Sequence, residues 1–269
     1  MAHKTLRNLP NNNRFYILVF SFLLSVGVAC LLRSTIASNQ LFYIRLEQAY
    51  GFISIALLYT ALIIAPLKRV IGGTHLWMQN LEFGRRAIGV AAAYFALLHA
   101  GIALWGQIGG LGGVGLLPGR FVMALTLGLV ALVVLFLMAI TSFDKVIAFM
   151  TFRRWKWLHR FVYAGGILII LHVWIIGTHS AYTWVQLTAF IPISLLFALE
   201  AWCTVSKFGL KYPEFKSKDY AITTALTLWA VASLLLFLLP TLVQSYHSKH
   251  ATHSTNASSG TPHSEGGHE

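Results

Sequence analysis

Charge is what this sequence has least of. Of its 269 residues, 10% are charged and only 8 are acidic, whereas 57% are apolar. A soluble domain carries roughly 25% charged residues and could not cover its surface with so few. The shortage excludes an ordinary cytosolic enzyme. It also excludes nucleic-acid binding as a main role, despite a formal net charge of +12. Cysteine is nearly absent: Cys30 and Cys203 lie in different apolar segments, so neither a disulfide framework nor a CxxC metal knuckle is available. A mean hydropathy of +0.69 points to a multi-pass membrane protein, whose apolar surface the bilayer solvates.

Seven apolar stretches reach the roughly 20 residues that a membrane helix needs. They are Phe15–Leu32, Tyr50–Leu67, Ala87–Trp105, Phe121–Ser142, Trp157–Ile176, Trp184–Val205 and Tyr220–Leu239. Membrane strands would alternate in segments of about 10 residues, so the predicted fold is all-α. It is a polytopic membrane helical bundle of about seven transmembrane helices. Residues 1–14 precede the bundle, which runs over 15–242, and 243–269 form a His-rich tail expected to be disordered. Most cations lie in the N-terminal segment and in the second-to-third, fourth-to-fifth and sixth-to-seventh connections, including Arg14, Lys68, Arg85, Arg86, Arg153, Arg154, Lys156 and Lys207. By the positive-inside rule the N-terminus is cytoplasmic and the C-terminus outside, in the cell's inner (plasma) membrane.

Three short patterns carry little. Ala29-Cys30 faintly matches a lipoprotein site, but Gly27 and Val28 make a poor lipobox and the apolar run continues to Leu32, so a retained first helix is expected. Gly110–Gly115 fits GxGxxG without the strand and βαβ unit that a dinucleotide site requires, and is expected to be a flexible outer loop. Asn256-Ala257-Ser258 matches a glycosylation sequon, a pattern too short to mean much.

The chemistry lies in the histidines. Three of the eleven fall in membrane segments: His99, His159 and His172. Ionisable residues at that depth are costly and point to function. His99 lies thirteen residues beyond Arg86, and His172 thirteen beyond His159, each roughly 20 Å from the cytoplasmic end of its helix. Two imidazoles at one depth on neighbouring helices suit bis-histidine ligation of a haem iron. His159, at the inner level, is a candidate ligand for a second haem. Its partner is open, with His75 a candidate on position alone. Arg85 and Arg86 occupy the matching level of the third helix and suit haem propionates. On a straight helix His159 and His172 point about 140° apart, so stacked sites need a tilt or bulge between them. Gly101, Gly165, Gly166 and Ala91–Ala93 offer room for a flat macrocycle. A membrane histidine can instead bond backbone or hydroxyl groups across helices.

Several of these segments together resemble a known family. Ala65-Pro66-Leu67-Lys68-Arg69 closes the second helix, and Arg85-Arg86-Ala87-Ile88-Gly89-Val90 opens the third, followed by Tyr94 and His99. Thr141-Ser142 closes the fourth; Trp155-Lys156-Trp157-Leu158-His159-Arg160 and Tyr163 open the fifth, which ends near His172. Over about residues 50–205 the chain resembles the ferric-reductase-like transmembrane domain. It is most similar to haem-binding membrane subunits of bacterial periplasmic methionine sulfoxide reductase systems. NADPH oxidases and membrane metalloreductases are more distant.

The resemblance implies b-type haem, one or two per chain, with His99, His159 and His172 at the ligand positions, and electron transfer from the cytoplasmic side outward. Whether flavin mononucleotide also binds is open. Relatives that are oxidases carry a fused flavin and nicotinamide domain. None is seen in this sequence, so the expected donor is a separate cytoplasmic flavoprotein reductase or membrane quinol. The acceptor is an outer-side redox protein or ferric iron. Arg85, Arg86, Arg153, Arg154, Lys156 and Arg160 form a basic inner collar that anchors topology and suits an acidic donor. Glu200 lies at the inner end of the sixth helix, in reach of that collar. In the tail, His247, His250 and His253 repeat every third residue and suit weak metal capture outside the membrane. The alternative function is a transporter or channel whose buried histidines relay protons or bind a metal ion.

Overall fold

In the computed structural model the described residues are 9–71, 75–176, 195–196, 198–200 and 202–203. Every regular element among them is helical. They are α1 (Leu9–Thr35), α2 (Asn39–Ile71), α3 (Leu76–Ile102), a π-helical turn (Ala103–Gln107), α4 (Leu111–Val114), α5 (Gly119–Ile140), α6 (Asp144–Met150), α7 (Phe152–Leu158) and α8 (Phe161–Ile176). Five stretches among them are long and apolar enough to cross a bilayer: Arg14–Thr35, Asn39–Ile71, Leu76–Gln107, Gly119–Ile140 and Arg153–Ile176. The chain is a multi-pass membrane protein, and these five cover the first five expected spans. Of the expected sixth helix only residues 195–196, 198–200 and 202–203 are described, and these are helical. The expected seventh, and the tail with His247, His250 and His253, lie outside the described residues.

Two helices begin well before the apolar runs that announced them. α2 starts at Asn39 rather than Tyr50, and α3 at Leu76 rather than Ala87. Their early turns carry Arg45, Glu47 and Gln48, or Gln79, Asn80 and Glu82, and hydropathy skips over such residues. Each of these extensions still buries an apolar residue, Leu46 in α2 and Met78 in α3. Arg45 also donates to Gln48 at 3.3 Å along the same face.

α3 is the central helix, packed on α2, α1 and α5, while α5 also packs along α8. Close approach comes from small side chains, the usual device where lipid removes the hydrophobic drive between helices. Ala91 and Ala92 are 0% exposed, and Ser54 Oγ on α2 donates to the Ala92 carbonyl at 2.8 Å. The alanine run, expected to leave space for a macrocycle, is filled by Leu58, Leu62, Leu135 and Leu196. Nearer the α1 side, Tyr50 OH donates to the Ser25 carbonyl at 2.8 Å, and Ser25 Oγ lies 2.9 Å from Tyr94 OH. Three helices are thereby joined through paired polar groups.

Pro66 is buried inside α2 and has no N–H for the preceding turn. In the same stretch of α2, Arg85 Nε donates to the Ala61 carbonyl at 2.7 Å. At the same end, Asp144 opens α6 and accepts from Arg14 of α1 at 2.9 Å and from Arg86 of α3 at 2.7 Å. Partial burial raises the Asp144 pKa, but the hydrogen bonds and charges of Arg86 and Arg14 outweigh it and hold the carboxyl below its usual range.

The glycine-rich segment expected to be a flexible loop holds a turn of helix instead. Gly109 and Gly110 adopt φ of 78° and 84°, a region that glycine enters without strain, and they reverse the chain into α4. Helices flank the segment on both sides, as a membrane connection requires and a dinucleotide fold does not.

Ala92→Leu should force α3 away from α2 and cost about 1–3 kcal/mol of stability, read as a lower thermal midpoint in detergent. Asp144 binds its proton less readily folded than unfolded. Its stabilising effect is therefore present above the unfolded pKa, about 3.9, and is lost as pH falls through the lower folded value. Asp144→Asn should remove that acid-side loss, giving thermal midpoints that fall less between pH 5 and pH 3 than in the parent. The difference should be small, because the Asp144 side chain is 65% exposed.

Candidate functional site

His99, near the end of α3, and His172, in the last turns of α8, come together between helices. Their ring centres lie 6.2 Å apart, with the planes at 89°. In each ring Nδ1 is engaged by a backbone carbonyl: the Glu47 oxygen of α2 at 3.0 Å from His99, and the Ala124 oxygen of α5 at 2.7 Å from His172. A carbonyl can only accept, so Nδ1 must carry the hydrogen in both rings. In the neutral imidazole that leaves the lone pair on Nε2, the state required of a metal ligand.

The spacing suits the same chemistry. Two in-line metal–imidazole bonds of about 2.1 Å, with about 1.1 Å from each nitrogen to its ring centre, separate ring centres by about 6.4 Å. The observed 6.2 Å between ring centres is of that size, as the haem arrangement expected from the histidine depths would need.

Two glycines admit these rings. A Cβ at Gly128 of α5 would lie 2.7 Å from His172 Nδ1 and 2.8 Å from its Cε1. A Cβ at Gly51 of α2 would lie 3.0 Å from His99 Nδ1. Each ring thus lies against bare backbone on the helix whose carbonyl it bonds. Neither glycine was among those expected to matter. Gly101 and Gly166 would place a Cβ in open space, and Gly165 abuts Val134. A signal existed at Gly128: a lone glycine in a Leu- and Val-rich helix costs about 1 kcal/mol, so its presence asks for a packing reason.

His159 has different surroundings. It follows α7, and the two-residue turn His159–Arg160 separates α7 from α8. Across that turn the backbone bonds shorten to the i→i+3 type, Arg160 N to the Trp157 carbonyl and Tyr163 N to the Arg160 carbonyl. The ring stacks on Trp155 at 4.2 Å, and its Nε2 lies 3.2 Å from Thr141 Oγ1. The single Thr141 hydroxyl hydrogen has a nearer acceptor, the Leu137 carbonyl at 2.7 Å. The Thr141 oxygen then accepts from His159, which carries its hydrogen on Nε2, opposite to the pair. Trp155 Nε1 donates to the Thr141 carbonyl at 2.8 Å, so Thr141 organises both rings.

The remaining candidates are occupied locally. His75 stacks on Trp77 with ring centres 6.4 Å apart. Arg85 is held by Ala61, and Arg86 by Asp144 and, at 3.5 Å, the Ser142 carbonyl. Glu200 accepts from Tyr163 OH at 2.7 Å. Among the described residues, no cluster of three or more His, Cys, Asp or Glu forms a further metal site. Both cysteines are free thiols, Cys30 exposed and Cys203 buried.

The helices that carry this geometry are matched by a family model. Residues 50–170 match the ferric reductase like transmembrane component. Over this segment the chain is similar to ferric-reductase-like transmembrane domains. Relatives named protein-methionine-sulfoxide reductase heme-binding subunit MsrQ support the same assignment. The protein of that name from Ralstonia nicotianae is 32% identical over 130 residues, 46% of this chain and 55% of that protein. The one from Deinococcus radiodurans is 33% identical over 126 residues, 46% of this chain and 58% of that protein. The one from Herminiimonas arsenicoxydans is 35% identical over 115 residues, 42% of this chain and 50% of that protein. The chain thus spans about half the length of the curated relatives it matches.

Gly128→Ala should push the His172 ring off the Ala124 carbonyl. Any metal or cofactor held by His172 should then be retained roughly tenfold less well, equivalent to about 1.4 kcal/mol. Cofactor content after equal dialysis, set against a Gly166→Ala control, measures this.

Proposed function

We propose that this chain is a membrane b-type haem protein that relays electrons from the cytoplasmic side of the inner membrane to an acceptor outside. The observation that carries the reading is the His99–His172 pair, with ring centres 6.2 Å apart and both Nδ1 hydrogens committed to backbone carbonyls. The names of the MsrQ relatives support haem as the group held, and the distribution of basic residues supports the direction. The reading takes one haem, on His99 and His172, because the His159 Nε2 is engaged by Thr141.

When bound, haem supplies reversible one-electron chemistry, and ligation by two histidines leaves it no open coordination position for a substrate. The chain's own residues do the rest. Glu47 and Ala124 carbonyls fix each ring's tautomer and orientation. Gly51 and Gly128 let the rings sit against the helices, and the α3 alanines keep those helices close. Arg153, Arg154 and Lys156 are exposed on α7 at the opposite end. There they offer an acidic flavoprotein donor a basic surface; membrane quinol is the other donor class. No general acid or base is required for outer-sphere transfer. The acceptor is an outer-side redox protein, in keeping with subunits named for a methionine sulfoxide reductase.

A visible spectrum tests this. The purified protein should show a Soret band and, on dithionite reduction, sharp α and β bands at one haem per chain. His99→Ala and His172→Ala should each remove that same haem, whereas His159→Ala should retain it. A folded preparation that stays colourless after reconstitution with haem overturns the reading, as does loss of different haems in the two pair variants.

A further inference from the structure

Glu47 meets His99 twice. Its backbone carbonyl lies 3.0 Å from Nδ1, and its side-chain Oε1 lies 3.3 Å from the same nitrogen. The Nδ1 hydrogen goes to the carbonyl, and an anionic oxygen of the same residue lies beside it. Nothing comparable is seen at His172, whose Nδ1 has only the Ala124 carbonyl at 2.7 Å among the described residues. The two members of the pair are unequal.

The surrounding backbone is shaped to hold that carboxylate. α3 ends in a π-helical turn, Ala103–Gln107, closed by Ile108 N donating to the Ala103 carbonyl at 3.1 Å. The wider turn swings Gln107 back over α2, where its Nε2 donates to Glu47 Oε2. One carboxylate oxygen is thus held by Gln107 while the other faces His99. Gly106, inside the π turn, permits this. A Cβ there would lie 3.1 Å from the Tyr43 ring of α2, so any side chain would press that ring back by a few tenths of an ångström. π turns interrupt α-helices chiefly at functional sites, and the Glu47 side chain is only 17% exposed.

We propose that Glu47, clamped by Gln107, is a positioning residue that sets the electron affinity of the His99–His172 centre by holding a carboxylate beside the Nδ1 hydrogen of His99. A carboxylate at that hydrogen makes the imidazole a more basic ligand through its other nitrogen. A more basic ligand, and a fixed negative charge nearby, both favour the oxidised, more positive metal and lower the reduction potential. The inference rests on the haem reading above and adds which ring is the stronger donor and why.

The test is the midpoint potential of the full chain with haem bound, by optical redox titration at one fixed pH and salt concentration. Glu47→Gln keeps the shape and removes the charge. It should raise the midpoint by about 59 mV, a tenfold change in the oxidised-to-reduced ratio for a one-electron couple. Glu47→Asp, which restores the charge, should return most of that shift. Gln107→Leu, which frees the carboxylate without touching His99, should move the midpoint the same way by less. Glu82→Gln, at the carboxylate paired with Lys68, should leave it unchanged. A low-spin bis-histidine spectrum in Glu47→Gln with the parent's midpoint overturns the proposal and leaves the haem reading standing. Should Glu47→Gln fail to hold haem, an unshifted midpoint in Gln107→Leu overturns it equally. Absence of haem from the parent chain fails the underlying reading instead.

Discussion

Two backbone carbonyls, on Glu47 and Ala124, decide where the hydrogens sit on His99 and His172. Because neither oxygen can donate, each neutral ring has one tautomer, and the free lone pair falls on the same type of nitrogen in both. Everything else about the centre depends on those helix backbones coming near enough to reach the rings. The carbonyls belong to α2 and α5, the rings to α3 and α8, so four helices must converge on one level. A side chain at position 51 or 128 would hold a ring away from the very helix that orients it.

That convergence explains the composition of α3. It is packed by three neighbours at once, and alanines with 0–2% exposure at 91, 92 and 93 let all three approach. In lipid such proximity has no hydrophobic drive, and rests on close contact and on shared polar groups. Ser54 with the Ala92 carbonyl, and Tyr50 with Ser25, supply those groups. At the other end, Arg85 of α3 bonds the Ala61 carbonyl of α2, and Asp144 gathers Arg14 and Arg86. The two ends are built differently: one aligns imidazoles on carbonyls, the other neutralises a cluster of guanidinium groups.

The helical class, the first five spans and the shared level of His99 and His172 were all legible in the chain, because hydropathy and helical rise are local properties. Residues whose importance arises only across helices were not. Gly51 and Gly128 look like ordinary membrane-helix glycines until a ring from another helix rests on them. Glu47 and Gln107 sit in polar turns that hydropathy assigns to connections, yet both extend the helical stretches inward. The alanine run misled in the opposite direction: small residues signal close approach, and here the approaching group is another helix rather than a flat ligand. His159 was legible as an unusual membrane residue, but its partner Thr141 comes from the end of another helix and fixes the opposite tautomer.

The short turn at His159–Arg160 has a geometric consequence. On one straight helix His159 and His172 would point about 140° apart. The i→i+3 bonds across the turn tighten the pitch there, so where His172 points is set beyond the break, by the Ala124 carbonyl and the bare backbone of Gly128, and not by the helical phase of α7.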